Sequence, residues 1–232
     1  MSFGKRYTNL AKKLDRTKVY NIDEAVKIVK TTASAKFDES VDIAINLGVD
    51  PRKADQALRG TVALPHGIGK KVHVTVVTKN QEAAAKEAGA DEYGFDNILE
   101  KIKGGWTGTD VIIATPEAMA ELGKLGRVLG PRGLMPNPKS GTVTSDVKTA
   151  VTEVKAGKIE FRVDKGGNVH STVGKASFDA AKLSDNVNTF INTIMRAKPS
   201  SAKGAYLKGI VISTTMGPSV RIDTADAIKA HA

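Results

Sequence analysis

The middle of the chain alternates between short apolar segments and amphipathic segments, and this alternation restricts the possible folds more than any other feature. Strand patterns occur in KKVHVTVVT and DVIIATP, and helix patterns in QEAAAKEAGA, NILEKIKGG, EAMAELGKLG and SDVKTAVTEVKAG. Strands that alternate with helices predict a parallel sheet covered by helices on both faces. Ser145 is expected to cap the last of these helices.

The two ends of the chain carry a different pattern. SVDIAINLGVD alternates apolar and polar residues from Val41 to Val49, which predicts a half-buried strand, and RGTVALP predicts a second. KIEFRVDKGGNVHSTVG predicts a hairpin that turns at Gly166 and Gly167. LKGIVISTTMGPSVRID predicts two strands with a sharp break between them, and NIDEAVKIVKTTA predicts a helix with Asn21 and Glu24 in a capping box.

These patterns predict an α/β protein of two domains. Residues 1–67 and 160–232 would form a split α+β domain, and residues 68–159 an inserted α/β domain. Glycines in PHGIGK and KAGK lie at the two crossings, so a hinge there is a hypothesis. Residues 68–159 hold 13 Lys and Arg against 11 Asp and Glu, a net charge of +2, which leaves +8 of the total +10 in the split domain. A polyanionic partner would therefore bind mainly to the split domain.

Composition excludes several classes of protein. Hydrophobic residues make up 41% of the chain, yet no apolar run approaches the roughly 18 residues that cross a membrane. MSFGKRYTNLAKKLD has no apolar signal core. The absence of Cys excludes disulfides and thiolate chemistry. His66, His73, His170 and His231 follow no metal-binding spacing, and His73 is expected to be a packed or edge residue. An aromatic content of 5% argues against binding through many stacked bases.

A nucleotide-dependent enzyme is one alternative, because the middle segment has an α/β pattern. Such a fold needs a Gly-rich turn after its first strand, whereas TKNQEAAAKE follows that strand here and contains no Gly. PHGIGKK lacks the first Gly of a phosphate-binding loop at the required spacing, and Lys71 stands where Ser or Thr would hold magnesium. We therefore predict no nucleotide cofactor. Asp38 and Glu39 are interpreted as ordinary solvated neighbours unless burial shifts them.

Two short segments are candidates for binding. In STTMGPSVR, Ser213 and Thr215 present hydroxyls at alternate positions of a strand end, and Gly217 would let a partner backbone approach. The residues alone favour a different interpretation, a plain β-turn with Met216 in the core. In SAKFDES, Lys36 beside Phe37 suits a sugar or base edge, although a Phe at the start of a strand is more often a core residue.

GRVLGPRGLMPNPKSGT, residues 126–142, leaves almost no room for a helix or strand. It is interpreted either as a phosphate- or RNA-contacting loop or as a structural joint.

Four long segments together resemble the bacterial family of ribosomal protein L-one, which belongs to the mobile stalk beside the tRNA exit site. They are SAKFDESVDIAINLGVDPRKADQALRGTVALPHGIGK, GRVLGPRGLMPNPKSGTVT, GKIEFRVDKGGNVHSTVGKASF and TTMGPSVRID. The resemblance runs from end to end. It implies the two-domain division above, with a Rossmann-like inserted domain, and a cytoplasmic, non-enzymatic protein with no cofactor, metal or catalytic residue.

The resemblance also implies partners and residues. The partners are the ribosome, large-subunit ribosomal RNA, deacylated tRNA during its release, and the messenger RNA of the protein's own operon, whose translation would be repressed. Neither a membrane nor an obligate homo-oligomer is expected. The RNA surface would centre on Phe37, Thr215, Met216 and Gly217, with neighbours Lys36, Ser40, Lys165, His170 and Ser213. The Gly126–Thr142 segment is then favoured as a joint of the inserted domain, and contacts of Arg127, Arg132 and Lys139 with RNA or tRNA stay open.

Overall fold

The computed structural model describes residues 4–15 and 17–229. The helices are α1 (Lys5–Ala11), α2 (Ile22–Thr32), α3 (Glu82–Glu87), α4 (Asp96–Lys103), α5 (Met119–Lys124), α6 (Gly126–Leu129), α7 (Val147–Lys155), α8 (Ala180–Arg196) and α9 (Thr224–Lys229). The strands are β1 (Ser40–Leu47), β2 (Arg59–Ala63), β3 (Val74–Val77), β4 (Glu92–Gly94), β5 (Val111–Ala114), β6 (Lys158–Arg162), β7 (Asn168–Lys175), β8 (Leu207–Thr214) and β9 (Val220–Ile222). The predicted mixed α/β class is confirmed.

Residues of the chain fall into two compact units. One unit combines the residues up to Gly69 with those from Ile159 onward, and the other is Lys70–Lys158. Both crossings carry a glycine in the left-handed region, with φ of 70° at Gly69 and 107° at Gly157. A side chain at either position would strain the backbone. We call the first the terminal unit and the second the middle unit.

The terminal unit is built on an antiparallel sheet in the order β7-β1-β8-β9. The predicted alternation in β1 is confirmed, because Val41, Ile43, Ile45 and Leu47 are all buried. The strand ends there, however, so Val49 lies outside it. Helices α2 and α8 pack on the buried face, where Phe161 and Phe190 meet edge to face at 6.1 Å. The other face of the sheet carries half-exposed residues.

The hairpin predicted around Gly166 and Gly167 forms as a turn but not as a ladder. Oδ1 of Asp164 accepts hydrogen bonds from the N–H groups of Gly166 and Asn168, each at 2.8 Å. Among the described residues, the two arms of the turn pair further only through an isolated antiparallel bridge between Val163 and Val169. β6 then pairs with β2, and β7 pairs with β1. The two strands diverge because each buries its apolar residues against a different neighbour.

The middle unit contains the predicted parallel sheet, in the order β4-β3-β5. Val77, Ile112 and Ala114 pack on one side with α4 and α5, and Val74, Val76 and Ile113 pack on the other with α7. Apolar cores therefore lie on both faces of the sheet. The predicted cap of α7 is wrong by one residue, because the helix begins at Val147. Asp146 caps it by accepting a hydrogen bond from the Thr149 N–H at 3.2 Å.

Residues 126–142 hold more regular structure than the sequence predicts. Gly126–Leu129 is a helical turn with Leu129 fully buried, and Pro138–Ser140 is a 3-10 turn. Thr142 accepts a hydrogen bond from the backbone N–H of Ala114, at the end of β5, at 2.9 Å. This packing supports the interpretation of the segment as a structural joint. Arg127 and Lys139 are exposed, and Arg132 donates a hydrogen bond to Thr107.

Asn186 is fully buried within α8 and holds three backbone groups of the terminal unit. Its amide nitrogen donates to the carbonyls of Gly67 at 2.9 Å and Val173 at 2.8 Å, and its oxygen accepts from the His66 N–H at 3.2 Å. Asn186→Leu leaves these groups buried without a partner, so we expect the free energy of unfolding to fall by about 2–4 kcal/mol. Urea denaturation measures the change. The matched control is Asn188→Leu, at a half-exposed position of the same helix, and equal losses in both variants would contradict the role of Asn186.

Candidate nucleic-acid interface

Two segments from opposite ends of the chain meet at the carboxylate of Glu39. Its Oε1 accepts hydrogen bonds from the N–H groups of Ser34 and Ala35, each at 2.8 Å, and its Oε2 accepts from the Met216 N–H at 2.9 Å. One side chain thereby fixes the loop Ser34–Glu39 against the turn Thr215–Gly217. We call this loop and turn together the platform.

Glu39 is 1% exposed, so the interpretation of Asp38 and Glu39 as solvated neighbours is wrong for Glu39. Burial by itself raises the pKa of this carboxyl, but hydrogen bonds from the backbone of Ala35, Met216 and Ser34 outweigh it and hold the pKa below its ordinary value. The carboxylate is therefore charged at neutral pH. Asp38 is exposed, and it binds the N–H and hydroxyl of Ser177 at 3.1 and 2.8 Å.

Thr215 joins the turn to the first residue of β1. Its hydroxyl accepts a hydrogen bond from the Ser40 N–H at 3.0 Å and donates to the Ser40 carbonyl at 3.4 Å, and its N–H donates to the same carbonyl at 3.1 Å. The predicted free hydroxyl is thus engaged inside the protein, with one lone pair remaining for an external donor. Ser213 lies within β8 and Thr215 follows its end, and the hydrogen bond from the Thr215 N–H to the Ser40 carbonyl continues the pairing with β1 by one residue.

Arg6 of α1 supports the platform from a third segment. Its guanidinium donates to the Met216 carbonyl and to the Ser34 hydroxyl, each at 2.8 Å. With Glu39 on the N–H of Met216 and Arg6 on its carbonyl, both backbone groups of this residue are occupied. The backbone of the turn is consequently fixed while the Met216 side chain is left outside.

Gly217 has an internal reason to lack a side chain. A Cβ at this position would lie 2.3 Å from the Thr214 hydroxyl oxygen, which is closer than real contacts allow. Thr214 is 2% exposed and its Cβ is branched, so it has little freedom to move. The predicted role of Gly217, close approach by a partner, is therefore not needed to explain the glycine.

Phe37 and Met216 are exposed by 56% and 46%, and they are two of the five large apolar side chains that are exposed in the described part of the chain. The alternatives that placed Met216 and Phe37 in the core are both wrong. Lys36, next to Phe37, is exposed as well. The platform therefore presents two apolar side chains and a cation on a backbone that hydrogen bonds hold in place.

The open face of the sheet continues from the platform. Strand register places Ser40 opposite Lys175, Asp42 between Thr172 and Ser213, and Ala44 between His170 and Val211. Directly paired residues of an antiparallel sheet share a face, so Ser40, Ser213 and His170 lie on one surface. Lys175 donates to the Ser40 hydroxyl at 2.9 Å, and Thr172 donates to the Asp42 carboxylate at 2.6 Å.

Lys165 and His170 lie farther from the platform than the other predicted residues. His170 is exposed, with Nε2 3.5 Å from the Asp164 carboxylate. Lys165 is exposed in the turn that precedes β7. At about 3.4 Å per residue, His170 stands some 14 Å along the sheet from Ser40. The structure thus brings Phe37, Thr215, Met216, Gly217, Lys36 and Ser40 into the platform region, and spreads Ser213, His170 and Lys165 along the open face.

Sequence reasoning missed Glu39, Arg6 and Lys175. The sequence did contain a sign that Glu39 is buried. Positions 39, 41, 43, 45 and 47 alternate along the strand and so face the same side, and the last four form the apolar, buried side of β1. A carboxylate at the start of an inward-facing row needs hydrogen-bond donors. No comparable pattern marks Arg6 or Lys175, whose roles arise from contacts between distant segments.

The histidines and acidic residues show no arrangement for a metal ion in the described part of the chain, residues 4–15 and 17–229, where no three or more of them form a group that could hold one. His73 is exposed, and His66 lies 3.2 Å from the Asp185 carboxylate. His231 lies outside the described residues. None of the described helices has both the length and the apolar character needed to cross a bilayer.

Glu39→Gln replaces one acceptor oxygen with a donor that faces backbone N–H groups. We expect the free energy of unfolding at pH 7 to fall by about 2–3 kcal/mol, because hydrogen bonds to a charged group are lost. The folded-state pKa lies below the ordinary value of 4.5, so this stabilisation is complete above pH 4.5. It disappears as the pH falls through the folded-state pKa. Denaturant titrations from pH 3 to 7 measure the difference between the two proteins.

Glu100→Gln is the matched control, because Glu100 is an exposed carboxylate past the first turn of α4. Its free energy of unfolding should stay within about 0.5 kcal/mol of the parent at all pH values. A pH-independent difference between the parent and Glu39→Gln would show that the charge of Glu39 does not stabilise the platform.

Comparison with known proteins identifies relatives over nearly the whole chain. The family model described as "Ribosomal protein L1p/L10e family" matches residues 29–218. Large ribosomal subunit protein uL1 of Chlorobaculum tepidum is 60% identical over 220 residues, which cover 94% of this chain and 95% of that protein. The protein of the same name from Chlorobium luteolum is 61% identical, covering 94% and 96%. That of Corynebacterium glutamicum strain R is 56% identical over 222 residues, covering 95% and 94%.

These matches confirm the resemblance seen in the four long segments. The chain belongs to the ribosomal protein L1p/L10e family, and its role is that of a structural protein of the large ribosomal subunit rather than an enzyme.

Proposed function

We propose that the chain binds large-subunit ribosomal RNA through the platform and the adjoining open face of the sheet. The observation that carries the proposal is the exposure of Phe37 and Met216, at 56% and 46%, on a backbone fixed by Glu39. Large apolar groups held rigidly on a polar surface are typical of binding sites. Since the backbone is already ordered, binding costs little additional conformational entropy.

Each group on the surface has a chemical role in this proposal. Phe37 and Met216 contact ribose and base edges. Ser40, Ser213 and His170 hydrogen-bond to 2′-hydroxyl and phosphate oxygens, which distinguish RNA by its backbone. Lys36 and Lys165 neutralise phosphates, so the affinity decreases as salt increases. The net charge of +8 outside residues 68–159 supports the same assignment.

The proposal extends to two further RNA partners and a cellular location. We assign to this chain a contribution to the release of deacylated tRNA from the exit site, and repression of its own operon when the platform binds the messenger RNA instead of ribosomal RNA. The motifs shared with the family support both roles. Ribosome association assigns the protein to the cytoplasm.

Footprinting of the protein on total cellular RNA tests the proposal. Protection of one site in large-subunit ribosomal RNA, together with co-sedimentation with ribosomal particles, is the expected result. Protection of messenger RNA without co-sedimentation would replace a structural role with a purely regulatory one. No protected RNA at low salt would remove the proposal altogether.

Met216→Asp tests the centre of the platform. The side chain is largely solvated, so the fold should persist, while a negative charge beside phosphates should weaken RNA binding by roughly 100-fold or more. Filter binding at constant salt measures the affinity, and the thermal unfolding midpoint reports on the fold. The control is Ile228→Asp, because Ile228 is 40% exposed on α9 of the same unit and outside the platform. If both variants bind equally well, Met216 does not contact RNA.

A further inference from the structure

A groove lies beside the platform, and its residues have no role in the proposed function. It is lined by Tyr7 of α1, Asp15, Lys18, Ser219 and Arg221 of β9, with Leu14 and Tyr20 forming its floor. We call it the α1–β9 groove. Two of its residues lie close in sequence to the platform or to the side chain that supports it. Tyr7 follows Arg6, which binds the Met216 carbonyl, and Ser219 lies two residues after Gly217.

Arg221 lies on the open face of the sheet. β9 pairs with β8 so that Arg221 is opposite Val211, and Val211 is opposite Ala44, which in turn is opposite His170. Direct cross-strand partners share a face. One row therefore crosses the sheet from His170 to Arg221, a span of about 14 Å for three inter-strand steps of about 4.8 Å. The groove is the far edge of the surface that we assign to RNA.

The Arg221 guanidinium is exposed and available. Within the described part of the chain, no side chain forms an ion pair or hydrogen bond with it. Lys18, the second cation, is exposed with its Nζ 5.0 Å from the centre of the Tyr20 ring. The backbone of Tyr20 is fixed to β9, since its N–H donates to the Arg221 carbonyl at 3.0 Å. Lys18 and Arg221 are thus presented from adjacent, hydrogen-bonded segments.

One acidic group faces the same groove. The Asp15 carboxylate accepts hydrogen bonds from the Thr17 N–H at 2.9 Å and from the Thr17 hydroxyl at 2.6 Å. Its charge offsets one of the two cations, so the described residues that line the groove carry a net charge of +1. It therefore weakens the attraction for an anion without reversing it.

We infer that the α1–β9 groove binds a backbone phosphate of the RNA that occupies the platform, through Lys18 and Arg221. The inference rests on the proposed function, because it needs RNA on the open face. A phosphate suits the groove because the Arg221 guanidinium can donate two parallel hydrogen bonds to phosphate oxygens, and the Lys18 ammonium adds a compact positive charge. The contact carries no sequence information. It fixes the direction in which the RNA strand leaves the platform.

Salt-dependent binding of the full chain to large-subunit ribosomal RNA tests the inference. Arg221→Gln and Lys18→Gln should each lower the magnitude of the slope of log K against log salt concentration by about 0.7–1, and together they should weaken binding roughly tenfold at 0.1 M salt. Asp15→Asn should raise the affinity for RNA, because it removes the negative charge that competes with the phosphate. The amide oxygen of Asn can still accept the hydrogen bonds from Thr17. Lys208→Gln is the matched control, since Lys208 is an exposed cation at the opposite end of β8 from the platform.

The outcomes separate the groove from the platform. Weaker binding and a smaller slope for the Lys18 and Arg221 variants, tighter binding for Asp15→Asn and no change for Lys208→Gln support the inference. If the Lys18 and Arg221 variants match Lys208→Gln while Met216→Asp still loses binding, the groove does not contact RNA and the proposed function stands. If the parent chain binds no RNA, both fail.

Discussion

A buried carboxylate that accepts hydrogen bonds from three backbone N–H groups is the constraint on which the platform depends. Glu39 is held between the loop that carries Phe37 and the turn that carries Met216. A charge in this position is stable only while all its donors are present. The loop and turn consequently hold one arrangement, and their exposed apolar side chains are displayed without support from the core. The polar interior of the platform thus explains why apolar groups can remain on its surface.

The antiparallel sheet of the terminal unit holds the residues around the platform in fixed positions as well. β1 lies between β7 and β8, so a strand from the beginning of the chain is paired on both sides with strands from its end. Helices cover one face and leave the other open for polar side chains. Asn186 ties the backbone near the chain crossing, at His66 and Gly67, to β7. The same antiparallel pairing that builds the core also places Ser40, Ser213, His170 and Arg221 on a single surface.

Local patterns in the sequence predicted much of this fold. The alternation in β1, the parallel strands of the middle unit and the break at Gly217 all depend on neighbours in sequence, and all are present. Predictions failed where distant segments compete. β6 leaves its hairpin partner for β2, and the hydroxyl of Thr215 turns inward to Ser40. Exposure of Phe37 and Met216 contradicts the usual placement of apolar residues, and only the motifs shared with a known family pointed to it. Glu39 was recognisable because it shares its strand face with the apolar residues of β1, whereas Arg6 and Lys175 act through contacts with distant segments that no sequence spacing records.

The separation between the two halves of the platform has a consequence for synthesis of the protein. Glu39 and Met216 are 177 positions apart, and the whole middle unit is made between them. A nascent chain emerges with its N-terminus first. Its middle unit can therefore fold before the turn that carries Met216 has been synthesised, when Phe37 is already present. If the platform binds RNA as proposed, only chains whose translation has proceeded past β8 can capture RNA there. Under the same proposal, fragments released by premature termination lack the completed surface and do not compete with finished copies during ribosome assembly.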